Sequence, residues 1–430
     1  MRGSSRVAQA CSGIHTLVRR GRHSTANAAG EKGVKSKKGV KGPSPLAPLP
    51  EGEGISAHHA RGQGEQAGLP VLLLLGDSPS RPCDEGDACV APTVVKRGSA
   101  RRVGSLAAVA LVLLLTAAAA FAQEDVKITP EGRASIDAAL AYLARTQNSD
   151  GSWSTANYAK ATACTSLAAL AFMSDGNLPG RGKYGDNVAR ALDYVLKSAQ
   201  PSGLLEYGLP HHAMYSHGYS TLFLAEVWGT TGRADIRDKL KNAVDLIVAT
   251  QNREGGWRYE PKVADADISV TVTQIVALRA AANAGIAVPR ETVDNAIGYL
   301  KKCLRPDGGY SYQPGSGNSG FARTGASLLC FLLAGLRDAP QAPRAAAWLQ
   351  GHRGDVEKYF YYGEYYAAQG VHLYGGSQWP AWYAFIGDEF VRRQRQDGSW
   401  PTSNEDGVQA TAMATLVLTI PNGYLPIYQR

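Results

Sequence analysis

Gln147-Asn148-Ser149-Asp150-Gly151-Ser152-Trp153 returns three more times without a gap. The copies are Gln251-Asn252-Arg253-Glu254-Gly255-Gly256-Trp257, Leu304-Arg305-Pro306-Asp307-Gly308-Gly309-Tyr310 and Gln394-Arg395-Gln396-Asp397-Gly398-Ser399-Trp400. Fourteen residues before the first three aromatics stands an alanine that opens a helical apolar stripe: Ala139-Leu140, Ala243-Val244 and Ala296-Ile297. Ala191-Leu192 carries the same register to Leu205, with Gln200-Pro201-Ser202-Gly203 as a worn copy of the loop, and a weaker copy runs from Ala346 towards Phe360. The aromatic or apolar position thus falls at 153, 205, 257, 310, 360 and 400. A period of this length marks a supersecondary unit that stacks on its own copies.

Each unit reads helix–loop–helix. The spacing predicts first helices over 133–146, 187–198, 234–250 and 290–303, with apolar residues at i, i+3 and i+4 and charge on the other face. Second helices are expected over 161–172, 218–228, 268–284, 324–336, 365–374 and 408–418. These are apolar or small on nearly every side, as an inner layer of crowded helices requires. The glycine after each acid supplies the positive φ that turns the loop, and the acid can bond local amides. The Trp is expected to lie over the preceding helix end, with the Gln amide packed or bonded against it. Six hairpins closed on themselves give an all-α (α/α)6 toroid in one domain, whereas leaving them open gives a solenoid.

The Gln-x-x-(Asp/Glu)-Gly-x-Trp segments resemble the QW-type repeats of terpenoid cyclases and protein prenyltransferase β subunits, in particular the squalene-cyclase/prenyltransferase-repeat family. The resemblance covers about residues 130–420. It implies six hairpins around a central cavity, in agreement with the six units counted here.

Charge and composition divide the chain. Residues 1–122 hold 16 Lys and Arg against 8 Asp and Glu, which is the whole excess of +8, so residues 123–430 are balanced. Residues 1–120 contain no Phe, Trp or Tyr. Such a stretch buries too little apolar area to offset its ordering entropy, and the balanced remainder is no electrostatic nucleic-acid binder. Leu106–Ala120 is an apolar run preceded by Lys96, Arg97, Arg101 and Arg102 and followed by Ala120-Phe121-Ala122. This is the pattern of a secretory signal peptide over residues 94–122, cleaved near Ala122, with an uncleaved anchor as the alternative. Residues 1–93 are then expected to be a start-site artefact or disordered leader, and 123–430 the toroid, exported to the periplasm or medium without a transmembrane segment. Cys164, Cys303 and Cys330 remain. They show no metal spacing and read as buried thiols, with a Cys303–Cys330 bridge as the alternative.

In a toroid the inner-helix N-termini line the cavity mouth, so residues just after each loop are the first candidates. Asp265-Ala266-Asp267-Ile268 follows the Trp257 loop. Squalene–hopene-type cyclases carry Asp-x-Asp-Asp in a similar place, with the third residue protonating the alkene. The resemblance therefore implies Asp267 as general acid with Asp265 in the first position, while Ile268 replaces the last acid. The structural alternative is that Asp267 caps the helix that begins at Ile268. The zinc-site Asp-x-Cys of prenyltransferases is absent from residues 123–430, the Cys-Gly-Glu-Gln thioester is absent as well, and no cofactor or metal is expected.

Candidate ligand residues are Tyr215 and His217 at one inner-helix start and Arg323 at another, where a cation suits an anionic ligand. Tyr362, Tyr365, Tyr366 and Gln369 share one helical face, and Trp379 and Trp382 follow them. Such a wall can face a carbocation or a sugar ring, or simply pack with its hydroxyls bonded to helix ends.

Three function classes remain open. The first is a toroid that binds a small hydrophobic, isoprenoid-like or glycan ligand in its central cavity. The second is an enzyme, either a minimal cyclase using Asp267 or a polysaccharide-lyase-like enzyme using Tyr215, His217 and Arg323. The third is a non-catalytic protein that docks partners in an extracytoplasmic assembly.

Overall fold

The computed structural model describes residues 126–155, 159–355, 358–401, 403, 405 and 407–429. The expected leader, the signal peptide and its cleavage site lie outside the described residues. Among the described residues twelve α-helices follow one another: α1 Pro130–Thr146, α2 Thr162–Met173, α3 Gly185–Lys197, α4 Ala213–Thr231, α5 Ala234–Thr250, α6 Ile268–Asn283, α7 Arg290–Cys303, α8 Phe321–Leu333, α9 Gln341–Gly351, α10 Phe360–Tyr374, α11 Gln378–Arg393 and α12 Gly407–Leu418. The even-numbered helices form an inner ring in which each packs on the next, and α12 closes onto α2. The odd-numbered helices surround it. α12 also packs on α1, and α11 meets α1, so the outer layer closes too. The architecture is the expected (α/α)6 toroid.

Composition sorts the layers. Every residue of α2 is buried, and it is built from Thr, Ala, Cys, Ser, Leu, Phe and Met. Outer α3 buries only the stripe Val188, Ala191, Leu192, Val195 and Leu196 together with Gly185, which is the amphipathic pattern of a helix with one face in water.

The loops are stapled identically. The indole Nε1 of Trp153, Trp257 and Trp400 donates to Leu143 O, Ile247 O and Phe390 O at 2.9, 2.8 and 2.8 Å, closing each outer-helix end. Their backbone N–H groups donate to Thr165, Thr271 and Thr411 Oγ1 on the following inner helix, as Tyr310 N does to Thr324 Oγ1, each at 3.1 Å. Asp150, Asp307 and Asp397 accept from the amides of Ser152, Gly309 and Ser399, as the sequence suggested. In the second full copy Asn252 takes over this task.

Three expectations are corrected. The Gln amides do not bond the Trp. Gln147 Nε2 donates to Gly151 O and to Asn187 O on the next outer helix, and Gln251 Nε2 to Gly255 O and Thr292 O, all at 2.9 Å. Helices α4 and α10 each begin five residues earlier than expected, which brings Met214, Tyr215, His217 and Tyr362 into helix. Trp379 and Trp382 belong to outer helix α11 and not to the inner wall. Cys164, Cys303 and Cys330 are free and buried, as the sequence reading had it, and the alternative Cys303–Cys330 bridge does not form.

Candidate functional site

Repeat geometry builds the mouth. In three successive repeats the residue two places after the aromatic position turns its carbonyl onto the first turn of the preceding inner helix. Thr162 N donates to Tyr207 O at 3.0 Å, Met214 N to Tyr259 O at 2.9 Å and Ile268 N to Tyr312 O at 3.0 Å. These bonds satisfy amides that a helix start leaves without an internal partner. They also place Tyr259 and Tyr312 side by side from successive repeats, with their hydroxyls 2.6 Å apart.

Arg258 lies against this pair. Its guanidinium carbon sits 4.5 Å from the Tyr259 ring centroid and 5.6 Å from that of Tyr312. Its NH1 donates to Asp267 Oδ2 and to Tyr312 OH, both at 2.9 Å. Asp267 is fully buried. Its Oδ1 accepts from Ser269 N at 2.8 Å and Val270 N at 3.0 Å, so it is the N-cap of α6. Burial raises its pKa, while Arg258 and the two amides oppose the rise. Three donors converge on this carboxylate and define it first as a structural anion. Asp265 lies outside the cluster's interior, its side chain 63% exposed and 3.5 Å from Arg258. A cleft of about 570 Å³ runs alongside, lined by Asn252, Val263, Asp265 and Gln313.

Beneath this layer lies Tyr215, on the first turn of α4. It is fully buried and its hydroxyl has no hydrogen-bond partner. Its ring is 6.1 Å from that of Tyr259, and Tyr362, Asp267, Tyr259 and Tyr312 are the groups that act on it electrostatically. Ser269 Oγ, on α6, is likewise buried without a partner. Arg323 joins the same neighbourhood, feeling Tyr312 and Tyr362.

His217 does not join it. Its Nδ1 accepts from Leu205 N at 3.1 Å, which requires the neutral ring to carry its proton on Nε2, and Nε2 meets Ala243 O at 3.1 Å. Burial lowers its pKa to about 4. In the worn repeat it occupies the place that Thr165, Thr271 and Thr324 hold in the others, accepting the amide at the aromatic position. It is therefore a repeat element and not a mouth residue.

Tyr362, Tyr365 and Tyr366 do share a face of α10, and they fill the ring axis. Tyr366 OH lies 3.1 Å from Tyr219 OH and 3.2 Å from Thr273 Oγ1. Tyr219, Tyr362, Tyr365 and Tyr366 are each no more than 2% exposed. The expected open wall is thus, in its lower part, a packed tyrosine core, and only Tyr362 reaches up to the mouth. Gln369 is buried and bonds back to Tyr365 O. Trp382 Nε1 donates to Glu364 Oε2 at 3.2 Å, and Trp379 packs on His372 and Tyr383.

Sequence reading passed over Arg258, Tyr259 and Tyr312 as site residues. The signal for the tyrosines was present, because both stand two residues after the aromatic position of adjacent repeats. It also passed over Glu405, which caps α10 by accepting from Tyr361 N and Tyr362 N at 3.1 and 2.8 Å, and whose pKa burial raises to about 7.

No family model matches the chain. It is 31% identical over 188 residues, 42% of its length, to a drimenyl diphosphate synthase of Streptomyces showdoensis. It is 28% identical over 193 residues, again 42% of its length, to a drimenyl diphosphate synthase of Streptantibioticus cattleyicolor. Each match takes in 33% of the relative, so the chain spans about a third of the length of the curated relatives it matches. Among solved structures, an α-1,6-mannanase of Salegentibacter sp. HEL1_6 superposes with a TM-score of 0.52 at 9% identity, covering 68% of this chain and 99% of that one. That likeness is one of fold. The chain is an α/α toroid that is similar over part of its length to drimenyl diphosphate synthases.

Proposed function

We propose that this chain is an exported toroid that binds a glycan at the mouth formed by Tyr215, Arg258, Tyr259, Tyr312 and Tyr362, rather than deeper along its axis. The observation that carries this reading is the buried Tyr215 hydroxyl, without a partner, beneath the paired Tyr259 and Tyr312. An unmet buried hydroxyl costs about 1–3 kcal/mol, and a hydroxylated ligand entering between these rings supplies the missing bond. Tyrosine faces and hydroxyls together suit a pyranose ring, whose faces are apolar and whose edge is polar. The tyrosine-filled axis argues against a ligand threaded through the ring.

A second reading, isoprenoid cyclisation with Asp267 as acid, is supported by the similarity to drimenyl diphosphate synthase and by the burial that raises the Asp267 pKa. Against it stand the three donors already on that carboxylate.

Native mass spectrometry of the protein from its own host, before and after denaturation, tests the reading. A polypeptide mass beginning at Gln123 and a released saccharide, depleted in Tyr312→Phe, are expected. A released isoprenoid would favour the cyclase. An empty protein, together with no binding of a neutral or acidic trisaccharide by calorimetry, would overturn the glycan reading.

A further inference from the structure

A cleft of about 470 Å³ on the outer layer is lined by Lys160, Arg190, Asp193, Tyr194, Lys197 and Tyr207. Its volume lies in the range of small-molecule sites, about 300–1,000 Å³. Arg190, Asp193, Tyr194 and Lys197 stand at i, i+3, i+4 and i+7 of α3 and so share one face. Tyr207 comes from the loop that follows, at the place that Tyr259 and Tyr312 hold in the next two repeats. Its backbone is pinned to Thr162 through both its N–H and its carbonyl, at 3.2 and 3.0 Å. Tyr259 and Tyr312 pair with each other, whereas Tyr207 stays 55% exposed. Its ring stands edge-on to that of Tyr194, with centroids 6.2 Å apart and planes at 88°.

Lys160 closes the other side of this cleft in a strained conformation. It is the one non-glycine residue with a positive φ, 57°, among the described residues. An L-residue holds that conformation only where its surroundings fix it. Three bonds do so: its N–H donates to Ser154 Oγ at 3.2 Å, its carbonyl accepts from Tyr194 OH at 2.6 Å, and its Nζ pairs with Asp150 Oδ2 at 2.7 Å. The strained turn thus sets the Tyr194 ring and commits Asp150 to Lys160. Neither Arg190 nor Lys197 makes an ion pair among the described residues. Arg190 NH2 donates to the neutral Gln147 Oε1 at 2.5 Å. Two cations therefore remain against the one uncommitted carboxylate of Asp193.

What the cleft leaves uncommitted decides the ligand. The Tyr194 hydroxyl, both Asp150 oxygens and the Ser198 hydroxyl already have partners. Few groups remain to meet the hydroxyls of a sugar, but ring surface and positive charge do. A planar ring beside Tyr207 extends the edge-to-face pair. An acid group on that ring finds a cation one turn to either side of Tyr194, at Arg190 or at Lys197.

We propose that this cleft is a second binding site, for an aromatic carboxylate whose ring packs on Tyr194 and Tyr207 and whose acid group pairs with Arg190 or Lys197. The site shares no residue with the glycan mouth and does not rest on the glycan reading.

Calorimetric titration of the full chain with cinnamate, methyl cinnamate and cyclohexylacrylate removes the charge and the aromatic ring in turn. Cinnamate is expected to bind at least about tenfold more tightly than its ester, the worth of one bond to a charged group. It should bind about threefold or more tightly than cyclohexylacrylate, the worth of one aromatic pair. The preference over the ester should shrink as salt rises. Tyr207→Ala, at an exposed side chain, should erase the preference for the aromatic acid without moving the thermal midpoint. Lys197→Gln should reduce the preference over the ester, also at an unchanged midpoint, and Arg190→Gln combined with Lys197→Gln should erase it. No binding of cinnamate, or equal binding of cinnamate and its ester, overturns the proposal. So does cinnamate binding that survives both Tyr207→Ala and the double variant unchanged, because the ligand then sits elsewhere.

Discussion

Gln394 Nε2 donates to the carbonyl of Ser135, 2.8 Å away and 259 residues earlier in the chain. Its second bond goes to Gly398 O in its own loop at 3.1 Å. Gln147 and Gln251 make the same two bonds, one within the loop and one to the next outer helix. For the last repeat, the next outer helix is the first, α1. Ring closure therefore uses no special device: the repeat treats α1 as its successor. Gln394→Ala should lose about 1–3 kcal/mol, the worth of two bonds whose carbonyl partners are left unmet. Gln147→Ala should lose a similar amount. Urea unfolding of the two variants checks this, and a loss confined to Gln394→Ala would show that closure differs from ordinary stacking.

The loops approach the next outer helix so closely that a side chain has no room. At Gly255, φ is 97° and an added Cβ would lie 2.1 Å from Asn295 O. Gly315 also has a positive φ, 72°, but nothing lies within 4 Å of its Cβ position. Gly315→Ala should cost about 1–2 kcal/mol, the left-handed penalty alone. Gly255→Ala adds a backbone clash in a packed interior and should exceed about 4 kcal/mol, the range reserved for gross structural conflict. Denaturant midpoints for the pair separate conformational strain from close approach.

His217 holds the worn repeat, whose aromatic position is Leu205. His217→Ala leaves the Leu205 amide and the Ala243 carbonyl unmet and should cost about 2–5 kcal/mol. His217→Thr should recover part of that loss by restoring the acceptor used in the neighbouring repeats. Saccharide binding by the folded fraction of either variant should be unchanged. A selective loss of binding, with the thermal midpoint preserved, would instead return His217 to the ligand site.

The repeat and its loop chemistry were legible because they are local. Glycine, acid and Trp act within a few residues of one another, and the amphipathic stripes fix the outer helices. Asp267 as an N-cap was equally legible, from its place before Ile268. The early starts of α4 and α10 were not. α4 is led in by a 3-10 turn, Pro210–His212, with no side-chain cap, and α10 is capped by Glu405 from more than forty residues away. A cap supplied by another repeat leaves no mark beside the helix it caps. Helix α11 was missed for a related reason, since the worn fifth unit gave no register with which to separate Trp379 and Trp382 from the tyrosines before them. Arg258 was hidden because sequence spacing does not fix which way a long side chain turns.

Asp267 joins a cap to an ion pair, and two substitutions separate them. Asp267→Asn keeps an oxygen for the Ser269 and Val270 amides and loses only the charge facing Arg258. Asp267→Ala loses both, and should be less stable than Asp267→Asn by about 1 kcal/mol, the usual worth of an N-cap. If the carboxyl instead serves as a general acid, Asp267→Asn abolishes turnover of an isoprenoid diphosphate at nearly unchanged stability. Thermal melts combined with product analysis distinguish the two roles.

Glu226 lies on the face of α4 that carries Tyr215 and Tyr219, towards the opposite end of the ring. It is 2% exposed, and its Oε2 has no partner. Burial raises its pKa to about 8, against the pull of the Ile427 amide, and Tyr365 and Tyr428 are the groups near enough to feel its charge. The unfolded chain ionises this group near its ordinary value of 4.5, so between there and about pH 8 the folded state holds a proton that the unfolded state has released. Stability from this group is therefore complete below pH 4.5 and is lost as pH rises through 8. Glu226→Gln keeps an acceptor for Ile427 and removes the titration. Its thermal midpoint should exceed that of the wild type by a margin that grows from pH 5 to pH 8.5 and then levels off. A margin independent of pH would mean that Glu226 is already ionised in the folded protein at pH 5.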